Sequence, residues 1–207
     1  MTETRIQFQA GAYLLEGMFS RGREEKGAVI THPHPLYGGD MANYVVEAAA
    51  RVLQNSGFAT LRFNFRGVET SQGRYENGIG EREDVRAALT YLRDQGITET
   101  DLYGYSFGAW VNAHLDCQSD RIARMVMISP PVNFMAFDDV GPLPCLGSAV
   151  VGDGDEFADT DRVRSLLDRC NPKAGMEIIH DTDHFYSGAL KDLEAFLKDD
   201  LRSSGPG

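Results

Sequence analysis

Few folds accommodate the segment Asp101-Leu102-Tyr103-Gly104-Tyr105-Ser106-Phe107-Gly108-Ala109-Trp110. An apolar run starting near Ile97 leads into Gly104-Tyr105-Ser106-Phe107-Gly108, and helix-compatible residues follow, so the chain reads strand, tight turn, helix in that order. A sharp strand-to-helix turn holds its central residue in a strained conformation. Side chains at the flanking positions would collide with the neighbouring strand or helix, and glycine at 104 and 108 removes them. Ser106 then stands proud of the sheet. The Phe107 N–H lies at a helix N-terminus, where the dipole favours negative charge. In a chain with 22 glycines such a turn carries little meaning alone, so its significance depends on partners elsewhere.

The rest of the chain supplies a frame for that turn. Residues 5–10 and 13–19 read as an antiparallel hairpin around Gly11-Ala12, and residues 26–31 as a buried strand ending in His32-Pro33-His34-Pro35. Asn43 is placed to cap a helix to about Ser56, stopped by Gly57. A strand over 58–65, the turn-rich loop Arg66-Gly67 to Ser71-Gln72-Gly73 and an amphipathic helix over 81–93 precede the serine turn. Beyond it, a helix from Phe107 toward Cys117, strands at 124–129, 145–151 and 176–180, and helices at 161–169 and 189–198 continue the alternation. Trp110 is expected to pack against the sheet. Strand and helix alternating in this way predict an α/β fold: a mainly parallel sheet with helices on both faces and the hairpin at one edge. Residues 1–202 are expected to form a single domain and 203–207 a disordered tail.

Composition excludes several alternatives. A formal net charge of -11 argues against a nucleic-acid or anionic-membrane partner. No run approaches the length that spans a bilayer, and the N-terminus lacks an apolar secretory core. Cys117, Cys145 and Cys170 are odd in number and widely spaced, so they read as reduced thiols, with no metal site, and cytoplasmic localisation follows as the expectation. No spacing suits a nucleotide or other cofactor, and none is expected. Oligomeric state is not legible.

Together the serine turn, Gly152-Asp153-Gly154-Asp155 and Asp183-His184-Phe185 resemble the nucleophile, acid and histidine of an α/β-hydrolase, in that superfamily's chain order. The resemblance covers nearly the whole chain and implies an eight-stranded sheet. His32-Pro33-His34-Pro35-Leu36-Tyr37-Gly38-Gly39 resembles the opening of a small, lidless bacterial subgroup described as dienelactone-hydrolase-like. Dienelactone hydrolases proper use a cysteine nucleophile, whereas position 106 is serine, which favours a carboxylester hydrolase.

The chemistry of the residues fits that resemblance. A serine hydroxyl needs a neighbouring imidazole to take its proton as it attacks. Of five histidines, His32 and His34 precede prolines at a strand end and are better placed to shape the pocket wall, His114 points away from the turn, and His180 ends a strand. His184, in the polar loop before the last helix, is the expected base. Asp153, Asp155, Asp181 and Asp183 compete as its carboxylate partner; the resemblance selects Asp155, with Asp153 next. Two N–H donors should hold the developing oxyanion. Phe107 supplies one, and His34, the residue with an N–H between two prolines, the other, with Leu36 as substitute. Tyr37, Phe134 and Phe185 are the expected pocket residues, and Arg66-Gly67 and Ser71-Gln72-Gly73 a structural loop. About a dozen residues, 132–143, separate two strands where larger relatives insert a cap, too few for one, so the serine should sit in an open cleft. The expected reaction is cleavage of a small-molecule ester by Ser106, His184 and Asp155. A thioesterase or small peptidase with the same residues, or a non-catalytic binding module on this fold, are the alternatives.

Overall fold

A computed structural model describes residues 2–23 and 25–203. Strands β1 (Thr4–Ala10) and β2 (Tyr13–Ser20) form the hairpin, and β3 (Lys26–Thr31), β4 (Ala59–Phe63), β5 (Glu99–Tyr105), β6 (Arg124–Ile128), β7 (Leu146–Gly152) and β8 (Gly175–Ile179) follow. They make one eight-stranded sheet in the order β1-β2-β4-β3-β5-β6-β7-β8. The hairpin joins by antiparallel pairing of β2 with β4, and the pairings from β4 through β8 are parallel. Parallel strands need a crossover, and each crossover covers a face of the sheet. Helices α1 (Tyr44–Asn55) and α5 (Leu190–Ser203) bury Val45, Val46, Leu53, Leu193 and Leu197 against one face. Helices α2 (Ile79–Asp94), α3 (Phe107–Ala113) and α4 (Thr160–Cys170) cover the other with Val85, Leu89, Val111, Val163 and Leu166. Each such side chain contributes about 1.5–3 kcal/mol by leaving water, and the central strands, apolar on both faces, are sandwiched between the two layers.

Register aligns the strand ends. Thr31 of β3 pairs with Gly104 of β5, and Tyr105 of β5 with Ile128 of β6. The loops that follow these strands therefore emerge along one edge, the usual place for a site in such a sheet. Among the described residues no helix lies between β6 and β7, so nothing caps that edge.

Most expected elements are present with shifted ends. Asn43 caps α1 by accepting the Val45 N–H at 2.9 Å. Helix α3 stops at Ala113 instead of continuing toward Cys117: the His114 N–H donates to the Val111 carbonyl at 3.2 Å and the Leu115 N–H to the Asn112 carbonyl at 3.0 Å, a tightened last turn, while a ring nitrogen of His114 bonds the Trp110 carbonyl. Trp110 packs against the core as expected but stays half-buried: its indole N–H donates to the Ala136 carbonyl and its ring stacks on Phe107. Ser203 is the last residue of α5 rather than the first of a tail, and 204–207 lie outside the described residues.

One expectation is overturned. Cys117 and Cys145 are joined in a disulfide, their Cα atoms 5.7 Å apart, and Cys170 is the free, buried thiol. The loop after α3 and the start of β7 lie 28 residues apart in sequence but side by side in space. Spacing alone does not reveal this. The pairing removes the cysteine count as support for a reducing compartment. Among the described residues no helix is long and apolar enough to cross a membrane.

Candidate active site

Ser106 occupies the link between β5 and α3 with φ 54° and ψ -119°, a conformation rare outside glycine that costs on the order of 1–3 kcal/mol. Packing holds it there. The Ser106 N–H donates to the Ile128 carbonyl at 2.9 Å, and the flanking glycines leave no room for a side chain. A Cβ on Gly104 would lie 2.6 Å from Ala109 backbone atoms, and one on Gly108 would lie 2.5 Å from Thr31 Oγ1.

The turn after β7 and the loop after β8 are stitched to each other. The Asp153 N–H donates to the Ile179 carbonyl at 3.0 Å and the Gly154 N–H to the Thr182 carbonyl at 2.9 Å. Asp155 is thereby buried, and its Oδ1 accepts the N–H groups of Phe157 and Ala158, both at 2.9 Å, which fix the orientation of the carboxyl group. On the facing loop, Asp183 accepts the Phe185 and Ser187 N–H groups, and the Tyr105 hydroxyl donates to the His184 carbonyl at 3.0 Å. These bonds place the His184 ring between Asp155 and Ser106. Its Nδ1 lies 2.9 and 2.8 Å from the two Asp155 oxygens, and its Nε2 lies 2.9 Å from Ser106 Oγ. A carboxylate only accepts, so the ring proton of neutral His184 sits on Nδ1 and Nε2 presents a lone pair to the hydroxyl.

The other candidates separate from this line. Asp153 is exposed and bonds His180 at 2.9 Å, which holds its carboxyl below the usual range. His114 bonds Asp139 at 3.2 Å. Arg66 is buried against Asp84, with Oδ1 2.7 Å from its Nη2, and it also bonds Glu76, so its loop is structural.

Beside Ser106, Phe107 is the first residue of α3, so its N–H has no intrahelical partner. Across the cleft, the Leu36 N–H donates to His34 Nδ1 at 3.2 Å and is thereby occupied, leaving the His34 N–H as the donor this loop can offer. His32 explains how that N–H is aimed. The Phe65 N–H donates to its Nε2 at 3.1 Å, so the neutral ring is protonated on Nδ1 and donates to the Pro33 carbonyl at 2.7 Å. That carbonyl and the His34 N–H belong to one planar peptide, so holding one orients the other. His32 is fully buried, and desolvation pushes it down to about 4, which keeps the ring neutral. It is thus a support beneath the pocket rather than a pocket wall. The His34 ring is also lowered by desolvation, and its Nε2 faces the Tyr75 hydroxyl at 3.3 Å.

A cavity of about 280 Å³ opens over Ser106, and Tyr37, Phe134 and Phe185 line it as expected. Phe157, Tyr105 and Met135 line it too, and the sequence reading missed them. Phe157 carried a signal, since it lies two residues after Asp155; Tyr105 and Met135 are ordinary apolar residues until the fold gathers them.

No protein-family profile matches the chain. It is 34% identical to an uncharacterised protein of Rickettsia prowazekii over 209 residues, 95% of this chain and 88% of that one. Among solved structures, an alpha-beta serine hydrolase homologue from Coxiella burnetii is 33% identical, covering 97% of this chain and 98% of that one, with a TM-score of 0.90. A Xanthomonas campestris protein described as a serine hydrolase without a lid is 30% identical over 100% of this chain and 97% of that one, with a TM-score of 0.91. Identity at this level over whole chains, on the same uncapped sheet, is shared ancestry rather than convergence, and the chain belongs to the α/β serine hydrolases.

Proposed function

We propose that this hydrolase cleaves small carboxylic esters through an acyl-enzyme, with Ser106 as nucleophile, His184 as base and Asp155 as the carboxylate that orients it. The observation that carries the reading is the unbroken hydrogen-bonded line Asp155–His184–Ser106 at the floor of the cavity. As Ser106 Oγ attacks the ester carbonyl, His184 Nε2 takes its proton and the Asp155 carboxylate stabilises the imidazolium. The N–H groups of Phe107 and His34 receive the oxyanion, each worth roughly 3 kcal/mol in the transition state. The tetrahedral intermediate then expels the alcohol, which leaves with the proton from His184. Water, deprotonated by the same nitrogen, releases the acid and restores the serine.

A fluorophosphonate probe, followed by p-nitrophenyl esters, acyl thioesters and peptide anilides, tests this. Ser106 is expected to be labelled, Ser106→Ala to lose labelling while melting at the same temperature, and esters to turn over fastest. Labelling that persists in Ser106→Ala removes the nucleophile assignment. Faster thioester or anilide cleavage moves the substrate class, and no labelling at all makes the fold a binding module.

A further inference from the structure

Rings make up much of the wall of the cavity over Ser106. His34 packs against Tyr37 at 4.9 Å between ring centres and against Phe107 at 4.8 Å. Tyr37 meets Phe134 at 5.8 Å, Phe134 meets Phe157 at 6.0 Å, Phe157 meets His184 at 4.9 Å and His184 meets Phe185 at 5.6 Å. The rings form a continuous arc around the serine hydroxyl. Neighbours in the arc are steeply inclined, at 62°, 69°, 84°, 64° and 88°, so they meet edge to face rather than stacking on one another. Tyr37, Phe134 and Phe185 remain 74%, 50% and 50% exposed, an apolar cluster that water contacts until something covers it.

Charge narrows what can cover it. Among the described lining residues there is no lysine, arginine, aspartate or glutamate. An anionic group entering the cavity would shed water with no counter-charge to meet it, in a chain of formal net charge -11. A cationic group would give up its water for ring contacts alone, with no carboxylate among the described lining residues to pair it. A planar, uncharged ring loses no ionic hydration on entry and can make aromatic contacts with a wall rich in rings. The size agrees: about 280 Å³ lies at the lower end of small-molecule pockets and suits one ring with its ester group rather than a long chain.

We propose that the substrates of this site are esters bearing an uncharged monocyclic aromatic group, held against the arc formed by His34, Tyr37, Phe134 and Phe157. The proposal rests on the esterase reading and gives its substrate class. Each well-placed ring contact favours an aryl group over a saturated ring of the same size by roughly two- to tenfold. Phe134 and Tyr37, at the mouth, are the specificity-determining residues.

Matched pairs test it with the intact protein. Ethyl benzoate against ethyl cyclohexanecarboxylate places the ring on the acyl side, and benzyl acetate against cyclohexylmethyl acetate places it on the alcohol side. Each kcat/KM is divided by the ester's rate constant with hydroxide to remove intrinsic reactivity. The aryl member is expected to lead by fivefold or more in at least one pair, and that pair identifies the side. A 4-carboxylate on the favoured substrate is expected to lower kcat/KM at least tenfold, and a 4-trimethylammonium group not to raise it. Phe134→Leu, which keeps an apolar side chain, is expected to bring the aryl-to-saturated ratio toward one. Saturated rings that match or exceed aryl rings in both pairs overturn the proposal, as does an ammonium or carboxylate ester that outperforms the neutral one, or a ratio indifferent to Phe134→Leu. Binding of the same pairs to Ser106→Ala, followed by ligand-observed NMR, keeps the test independent of turnover. Tighter aryl binding without turnover would sink the esterase reading alone, whereas turnover without aryl preference would sink this proposal alone.

Discussion

Asp155 and His184 meet at 2.8 Å while Asp153 and His180, from the same two loops, meet at 2.9 Å. The two Asp–His pairs are alike in chemistry and differ in surroundings: the first is buried against Ser106, the second exposed. Asp155→Asn is therefore expected to lower kcat by about 10⁴-fold, since the amide favours the wrong ring tautomer. Asp153→Asn should leave kcat within a few-fold of the parent. Steady-state ester kinetics on both variants check this, and the reverse ranking would transfer the acid to Asp153.

His32 holds the Pro33–His34 peptide, whose N–H is the proposed oxyanion donor. An asparagine amide reproduces the position of Nδ1 and a glutamine amide that of Nε2, so His32→Asn keeps the bond to the Pro33 carbonyl and His32→Gln loses it. The Gln variant is expected to lose roughly 10- to 100-fold in kcat with little change in KM, a part of the ~10²–10³ that a missing oxyanion donor costs, and the Asn variant distinctly less. Equal losses would indicate a purely structural histidine.

Two buried groups give stability opposite slopes with pH. Burial pushes His32 down from 6.5 to about 4, so the folded chain resists a proton that the unfolded chain takes. Its contribution is complete above pH 6.5 and is lost as the pH falls toward 4. Burial pushes Asp101 up from 3.8 to about 7, so its contribution is present below pH 3.8 and is lost as the pH rises toward 7. Asp101→Asn removes the second slope. The variant is expected to gain on the order of 2–4 kcal/mol over the parent at pH 8, and to lose less stability than the parent as the pH rises from 4 to 7. Urea unfolding across pH 4–8 measures both, and no gain at pH 8 would mean that the nearby Arg124 already compensates the charge.

The Cys117–Cys145 bond closes a loop over a separation of 28 residues. Constraint of the unfolded chain on that scale is worth roughly 3–4 kcal/mol. Reduction, or Cys117→Ser, should lower the urea midpoint accordingly, and alkylation of the unreduced, denatured protein should modify Cys170 alone. Modification of all three cysteines would show the pair to be unjoined.

With no cap over the edge, a long acyl chain stays in water, and each exposed methylene forgoes about 0.8 kcal/mol. Across p-nitrophenyl esters from acetate to palmitate, kcat/KM is expected to fall with length and to show no jump at micelle formation. A steady rise, or such a jump, would reveal a lipid groove.

What the sequence determined by itself is what short-range sterics and hydrogen bonding control. Glycines flanking Ser106 admit a turn that other residues forbid, Asn43 caps the helix that follows it, and the alternation of apolar runs with amphipathic helices leaves a parallel sheet as the way to bury them. Ser106 and His184 stood out as candidates because one lies just beyond a strand and the other in the loop before a helix, at the edge where register gathers strand ends, whereas Asp155 was separated from three other aspartates only by the family resemblance. What only the tertiary structure decided depends on contacts between distant segments that no local rule encodes. Cys117 and Cys145 pair because the loop after α3 passes the start of β7. His32 turns inward because the Phe65 N–H, 33 residues away, needs an acceptor in the interior. Two aspartates two residues apart find different histidines because the stitching between their loops buries one and leaves the other in water.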